Sequence, residues 1–195
     1  MTVILASTSP IRQTVLRHAG VSFSACPPLT DETQLKKTLG PARPEGIAAA
    51  LAEAKACSIS ERGASELVIG ADQVLALAGA IFDKPSDLAE ARVHLLALRG
   101  KTHELHSALA CARGGKIIWR CTKTARLTMR FFSEAFIDSY LTRMGGEATR
   151  SVGAYKLEGE GIQLFERIEG DYFTILGLPL LPLLAFLREQ GEVAS

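Results

Sequence analysis

The chain has 195 residues, 47% of them apolar and 22% charged, with a formal net charge of +1. This is the composition of an ordinary globular domain with room for a real core, and it excludes a disordered or fibrous chain. A balance so near neutral gives no reason to expect a nucleic-acid or membrane surface, so anion binding has to come from local clusters.

Residues 3–6 predict a strand leading into a helix over about 10–19, with Ser9 as N-cap, Pro10 at the first helical position and Gly20 closing it. Apolar positions 11, 15, 16 and 19 make one stripe on that helix. Residues 24–43 read as an irregular loop carrying Asp31-Glu32. A second helix over about 44–62 places Ile47, Leu51, Ala54 and Ser58 on one face, with Lys55 at its margin, able to reach into a cleft between helix and sheet. A strand over 66–75 and a turn through Gly79 follow, then a helix over about 87–98 capped by Ser86 and ended before Gly100.

Residues 102–112 and 116–130 predict a hairpin around Arg113-Gly114-Gly115. In its second arm Ile117, Trp119, Cys121, Ala125, Leu127 and Met129 alternate with Arg120, Thr122, Thr124, Arg126, Thr128 and Arg130, giving one buried and one wet face. A helix over about 134–143 stops at Gly145-Gly146, and a glycine-punctuated segment over 151–171 leads to a final strand and a short helix. The predicted class is α/β, with a mixed twisted sheet and flanking helices in a single domain over 1–195.

The cysteines at 26, 57, 111 and 121 form neither a C-x-x-C nor a cluster, which points to a reducing compartment rather than a disulfide or zinc scaffold. Met1-Thr2 runs straight into a strand with no cationic region and apolar core ahead of it. The apolar run from Phe173 to Leu187 is too short for a membrane span and is broken by Gly177, Pro179 and Pro182. A cytoplasmic protein without a membrane partner is expected.

Two stretches carry chemistry. In the first, Val3-Ile4-Leu5-Ala6-Ser7-Thr8-Ser9-Pro10-Ile11-Arg12, an apolar strand breaks into hydroxyls and a helix start with an arginine in its first turn. Orphan amides, short hydroxyls and a bidentate guanidinium suit phosphate oxygens, although an ordinary cap with a surface arginine has the same letters. In the second, Leu67-Val68-Ile69-Gly70-Ala71-Asp72-Gln73, a strand delivers a carboxylate where open α/β sheets place ligands. Asp72 there can take a proton from water or hold a metal, or it can simply form a turn. Lys84, directed by Pro85, and Lys55 are further candidate phosphate ligands, and Glu32 is a candidate second metal ligand, though each in isolation is more often solvated.

His103 and His106, three apart on a strand, cannot chelate one metal together. Arg113, Lys116, Arg120, Lys123, Arg126 and Arg130 line a basic strand face that reads as a solvated hairpin surface rather than a nucleic-acid site.

Taken in order, these segments resemble the Maf family of nucleoside triphosphate pyrophosphatases. The likeness runs through Leu5-Ala6-Ser7-Thr8-Ser9-Pro10-Ile11-Arg12, Asp31-Glu32, Leu51-Ala52-Glu53-Ala54-Lys55-Ala56, Ile69-Gly70-Ala71-Asp72-Gln73-Val74 and Asp83-Lys84-Pro85. It continues in Leu98-Arg99-Gly100-Lys101-Thr102-His103, Gly153-Ala154-Tyr155, Gly170-Asp171-Tyr172 and Gly177-Leu178-Pro179-Leu180, so it spans almost the whole chain.

The resemblance implies an elongated, two-lobed fold similar to inosine triphosphatase, with a central cleft, and a homodimer. It implies hydrolysis of a nucleotide between the α and β phosphates, with a divalent metal (Mg²⁺ or Mn²⁺) as cofactor. It casts Asp72 as general base, Ser7, Arg12, Lys55 and Lys84 as phosphate ligands, and Glu32 with Asp72 as the metal site. Ile11, Gln73 and Glu158 stand where a thymidine- and uridine-triphosphate-preferring branch has arginine, threonine and glutamine. Their pattern is similar to the branch acting on 7-methylguanosine triphosphate, although that branch often has an aromatic residue where Ile11 stands. Gln73 would offer paired donor and acceptor contacts to a purine edge. A pyrimidine-preferring pyrophosphatase of the same family, and a non-catalytic nucleotide-binding regulator of cell division, are the rival readings.

Overall fold

The computed structural model describes residues 3–40, 42–62 and 65–194. The chain runs β1 (Val3–Ala6), α1 (Pro10–His18), β2 (Phe23–Cys26), α2 (Glu32–Leu39), α3 (Pro44–Ser60), β3 (Leu67–Leu77), β4 (Ala80–Phe82) and α4 (Leu88–Leu98). It continues with β5 (Thr102–Arg113), β6 (Lys116–Met129), α5 (Glu134–Met144), β7 (Phe165–Glu169), α6 (Tyr172–Ile175) and α7 (Leu180–Glu189), with short 3-10 turns between α5 and β7.

The seven strands of the described residues form one mixed sheet in the order β2-β1-β3-β5-β6-β7, with β4 on β3. β1 lies parallel to both β2 and β3, pairing Ala6 with Cys26 on one side and with Gly70 on the other. The class is therefore α/β with a mixed sheet and flanking helices. No helix among the described residues is long and apolar enough to cross a membrane.

Two compact units divide the chain. The first holds the residues up to Gln73, His106–Thr124 and those from Asp171 onward; the second holds Val74–Leu105 and Ala125–Gly170. In the first unit β3 is buried on both faces, which is why it reads as a continuous apolar run rather than an alternating one. Leu67, Ile69 and Ala71 join Val3, Leu5, Leu16, Leu178, Leu183 and Phe186 in one core cluster. Val68 and Ala6 face the other way, toward Ile59 of α3.

Helix α3 buries Ile47, Ala48, Leu51, Ala52, Lys55, Ala56, Ile59 and Ser60. Its buried stripe is thus centred one position away from the expected face through Ala54 and Ser58, and Lys55 lies within the stripe rather than at its margin. Small residues dominate that face because α3 rests on backbone: a Cβ built on Gly70 would meet the Ala52 carbonyl at 2.1 Å and the Ala56 nitrogen at 2.6 Å.

Several expectations need correction. The expected loop over 24–43 contains β2 and α2. β2 is a short terminal strand without alternating burial, and α2 buries no residue, so neither leaves an apolar period to read. The cap was legible: Asp31 Oδ1 accepts from the Gln34 N–H at 2.9 Å. Asp87, not Ser86, caps α4; its Oδ1 accepts from the Glu90 amide, while Ser86 donates to the Glu90 carboxylate. The final strand expected from Phe173 is helix instead, because Asp171 Oδ2 accepts from both the amide and the hydroxyl of Thr174, at 2.8 and 3.1 Å. Strand β7 lies earlier, inside the glycine-punctuated segment.

The second arm of the hairpin, β6, alternates as expected, while β5 is buried along most of its length; on the basic face Arg120 binds both oxygens of Glu53, Arg126 reaches Glu104, and Arg113 reaches Glu192.

In the second unit α4 buries Ala91, Leu95 and Leu98. There the fully buried His103 Nε2 shares a 2.7 Å hydrogen bond with the Tyr155 hydroxyl, and its ring leans on Tyr155 and Phe165. His103 Nδ1 has no hydrogen-bond partner among the described residues. Burial pushes its pKa down from 6.5 to about 4.

Two tests follow from this packing. Gly70→Ala should destabilise the protein by at least about 2 kcal/mol, since the intruding methyl meets backbone that cannot step aside. Gly46→Ala, on the same helix with nothing within 4 Å of its Cβ, should be neutral or stabilising by up to about 1 kcal/mol. Equal urea midpoints for the two variants would show that α3 does not rest on β3.

His103 gives a pH signature. As pH falls through about 6.5 the unfolded His103 takes a proton, whereas the folded one stays neutral to about 4. The unfolded state binds more protons in that window, so stability falls with pH, by up to about 3 kcal/mol. His103→Gln, which keeps a polar contact for Tyr155 but does not titrate, should flatten urea-derived stability between pH 7 and 4.5. An unchanged slope in that variant would take His103 out of the acid response.

Candidate active site

The site is assembled in the first unit where β1 ends. Ser7 follows the last β1 residue and is buried; its Oγ accepts from the Ser9 N–H at 3.2 Å. Ser9 occupies the N-cap position of α1 with extended backbone, but its side chain makes no capping bond, and Pro10 follows. The first-turn amides of α1 thus receive no hydroxyl from Ser9, which suits a helix start that accepts an anion.

Arg12 is fixed before any ligand arrives. Its Nε donates to the Gly177 carbonyl at 2.9 Å and its Nη1 to the Ala71 carbonyl at 2.8 Å, with Ser7 Oγ at 3.4 Å from Nη1. Burial lowers the pKa of this guanidinium, and the charges of Asp72 and Glu32 work against that shift. An arginine stays charged under such a perturbation.

On the α3 side, Lys55 Nζ lies 2.5 Å from Asp72 Oδ1 and 2.8 Å from Glu32 Oε1. The Lys55 and Asp72 side chains are 7% and 9% exposed, against 48% for Glu32, so the ammonium joins a buried carboxylate to one that faces solvent. Gly70 makes this contact possible. It admits the α3 backbone between Ala52 and Ala56, and Lys55 and Asp72 stand on either side of that close approach.

Period two along β3 sends Asp72 and Gln73 to opposite faces. Gln73 turns toward the end of α6, where its Nε2 donates to Ser107 Oγ at 2.8 Å, the Ile175 carbonyl at 3.0 Å and the Thr174 carbonyl at 3.1 Å. The expected paired donor and acceptor contact from Gln73 to a base is therefore corrected: the donor is already engaged within the protein. Ser107 escaped sequence reading, although a hydroxyl inside the apolar run Leu105–Ala112 signals a polar partner nearby.

Ile11, in the first turn of α1, is half-buried and packs on the core. The structure therefore brings together Ser7, Ile11, Arg12, Glu32, Lys55, Asp72 and Gln73 in one unit. Lys84 and Glu158 belong to the other unit, and both are exposed.

Among the described residues no group of three or more His, Cys, Asp or Glu gathers around one point. Glu32 and Asp72 do converge, on Lys55, and supply hard carboxylate oxygens. That donor set fits Mg²⁺ or Mn²⁺ of the kind held by one or two carboxylates together with substrate phosphates. The cysteines are free thiols.

A family model described as "Maf-like protein" matches residues 2–190. A 7-methyl-GTP pyrophosphatase of Mesorhizobium japonicum is 52% identical over 193 residues, covering 98% of this chain and 97% of that one. A nucleoside triphosphate pyrophosphatase of Caulobacter vibrioides is 53% identical over 193 residues, covering 98% and 96%. Among solved structures, a HAM1 protein from Coxiella burnetii aligns with a TM-score of 0.44 at 14% identity, over 66% of this chain and 73% of that one.

Proposed function

The chain belongs to the Maf-like protein family, and from that premise we propose that it hydrolyses nucleoside triphosphates between the α and β phosphates, releasing a nucleoside monophosphate and pyrophosphate, with 7-methyl-GTP preferred. The observation that carries this reading is the Lys55 ammonium held between Asp72 and Glu32, in the same unit as an α1 start without a side-chain cap and an Arg12 already fixed in direction.

Ser7, Arg12 and Lys55 meet the phosphates. Arg12 contributes without reorganising, because backbone carbonyls have set its direction, and such preorganised charge stabilises a transition state more than a mobile group would. Lys55 holds Asp72 Oδ1, which leaves Oδ2 as the oxygen that takes the proton from the attacking water. Lys84 is assigned to phosphate binding, and Ile11 and Glu158 to base selection, on their place in the family's motifs. Glu32 and Asp72 are the residues that would hold a divalent cation, which when bound offsets phosphate charge.

Two relatives whose names specify 7-methyl-GTP pyrophosphatase, at 50–52% identity, support the base preference. So does the pattern Ile11, Gln73 and Glu158, which lacks a cationic side chain at position 11 and adds a carboxylate at 158, in keeping with a positively charged methylated purine. Glu158 is exposed and its charge is screened, so it contributes modestly and the discrimination leans on Gln73. A cytoplasmic homodimer completes the proposal.

Asp72→Asn should cut turnover by about 10²–10⁴-fold while nucleotide binding survives, because the amide keeps the shape but accepts no proton. Retention of more than about a tenth of the rate would remove Asp72 from the role of base. A non-catalytic regulator, by contrast, would release no pyrophosphate from any nucleotide.

Across 7-methyl-GTP, GTP, dTTP and UTP, kcat/KM should be highest for 7-methyl-GTP, with pyrophosphate as the released product. Faster cleavage of dTTP or UTP would overturn the base preference alone. Orthophosphate without pyrophosphate would overturn the bond assignment.

A further inference from the structure

We propose that Ser107 is a positioning residue for base selection: it locks the Gln73 amide so that the carbonyl oxygen, and not the NH₂, is offered to the substrate. This rests on the reading that the protein cleaves nucleoside triphosphates and that Gln73 meets the base.

The lock is visible in the hydrogen-bond accounting. Gln73 Nε2 faces three oxygens at 2.8–3.1 Å. Two of them, the carbonyls of Thr174 and Ile175, can only accept, so the amide must turn its nitrogen toward them. The third, Ser107 Oγ, gives its own proton to the Thr174 carbonyl at 2.7 Å and so also accepts from Gln73. Ser107 thereby completes a wall made entirely of acceptors. A flipped Gln73 would set its oxygen against all three; the Thr174 carbonyl would keep its bonds from the Gly177 amide and Ser107, but the Ile175 carbonyl would lose the Gln73 donor and face an oxygen instead, which is costly.

Ser107 is fully buried and Thr174 nearly so, while Gln73 itself is half-buried, so of these three side chains Gln73 is the one with a part left exposed. The wall is itself anchored, since Asp171 caps α6 through the amide and hydroxyl of Thr174. The turn after α6 also takes the Arg12 guanidinium on the Gly177 carbonyl.

The group left to the substrate is an acceptor, and its complement is an N–H on the base edge. A guanine-type edge presents an N–H and an amino group side by side. With Ser107 in place, Gln73 accepts from such an edge and cannot turn its NH₂ to a base carbonyl.

The experiment compares wild type, Ser107→Ala, Ser107→Thr, Gln73→Ala and the Ser107→Ala/Gln73→Ala double variant. The readout is the ratio of kcat/KM for 7-methyl-GTP to that for UTP, with Tm as the folding control. Ser107→Ala should lower the ratio about tenfold, the worth of one hydrogen bond, through KM more than kcat. In the Gln73→Ala background the same substitution should leave the ratio unchanged.

Ser107→Thr, which keeps the hydroxyl, should hold the ratio near wild type and carries the test if Ser107→Ala fails to fold; a folded Ser107→Thr with a collapsed ratio would count against the proposal. A ratio within twofold of wild type in Ser107→Ala, or effects of Ser107→Ala and Gln73→Ala that multiply, would overturn it while leaving the hydrolase reading intact. If wild type cleaves no nucleotide the hydrolase reading fails instead, and the same ratio, taken from dissociation constants for 7-methyl-GTP and UTP, decides the Ser107 proposal.

Discussion

The arrangement turns on one contact, the Lys55 ammonium between the carboxylates of Asp72 and Glu32. A buried ion pair adds little net stability, because removing charges from water costs about what their attraction returns. What this one secures is position. It draws together three segments of distant sequence: the loop and α2 carrying Glu32, the helix carrying Lys55 and the strand carrying Asp72. It requires a helix to lie directly on a strand, which Gly70 and the alanine face of α3 permit. A side chain at residue 70 would push α3 away from the strand that carries Asp72.

Strand β3 then divides the work between its faces. Asp72 points to α3 and the ion pair, whereas Gln73 lies on the face of the Leu67, Ile69 and Ala71 cluster, with α1 and the α6 turn. In the proposed hydrolysis the ion pair is the part that handles proton transfer and phosphate charge. The other face serves direction: Arg12 and Gln73 both end on carbonyls of the turn through Thr174–Gly177. Gly177, with φ at +83°, shapes that turn; a Cβ there would stand 3.3 Å from the Arg12 guanidinium and 3.6 Å from the Gln73 amide. Two side chains that differ in charge and in role thus share one backbone template.

The sequence made the candidate groups legible and hid what holds them. Ser7 and Arg12 could be named because their types sit where a strand ends and a helix starts; Asp72 and Lys55, inside β3 and α3, stood out as charged groups in apolar stretches. β1, α1, β3 and the long hairpin could be drawn because apolar runs or periods mark them. Helix α2 left no such period, since it buries nothing, and only the Asp31 cap betrays it. α6 was read as strand because Phe173, Ile175 and Leu176 are apolar, and the Asp171 cap outweighs that pattern. The carbonyls that orient Arg12 and Gln73 carry no letter at all. Ser107 is 34 residues from Gln73, so its bond depends on strand order, which local periodicity does not specify.

Charge arithmetic sets the last constraint. Arg12 and Lys55 carry one positive charge each, and Glu32 and Asp72 one negative charge each, so the four cancel. A neutral cluster has no long-range pull on a triphosphate; under the proposed function it would meet one only by separating its charges, with cations turned to the phosphates and a carboxylate to the water. Lys55 occupies the ground between the two carboxylates that would also suit a divalent cation. A divalent cation, if bound there, would be held by Asp72 and Glu32, the two carboxylates that Lys55 now neutralises, and would offset phosphate charge. Lys55 thus holds two mutually repelling carboxylates together, and Gly70 is the condition for its being there.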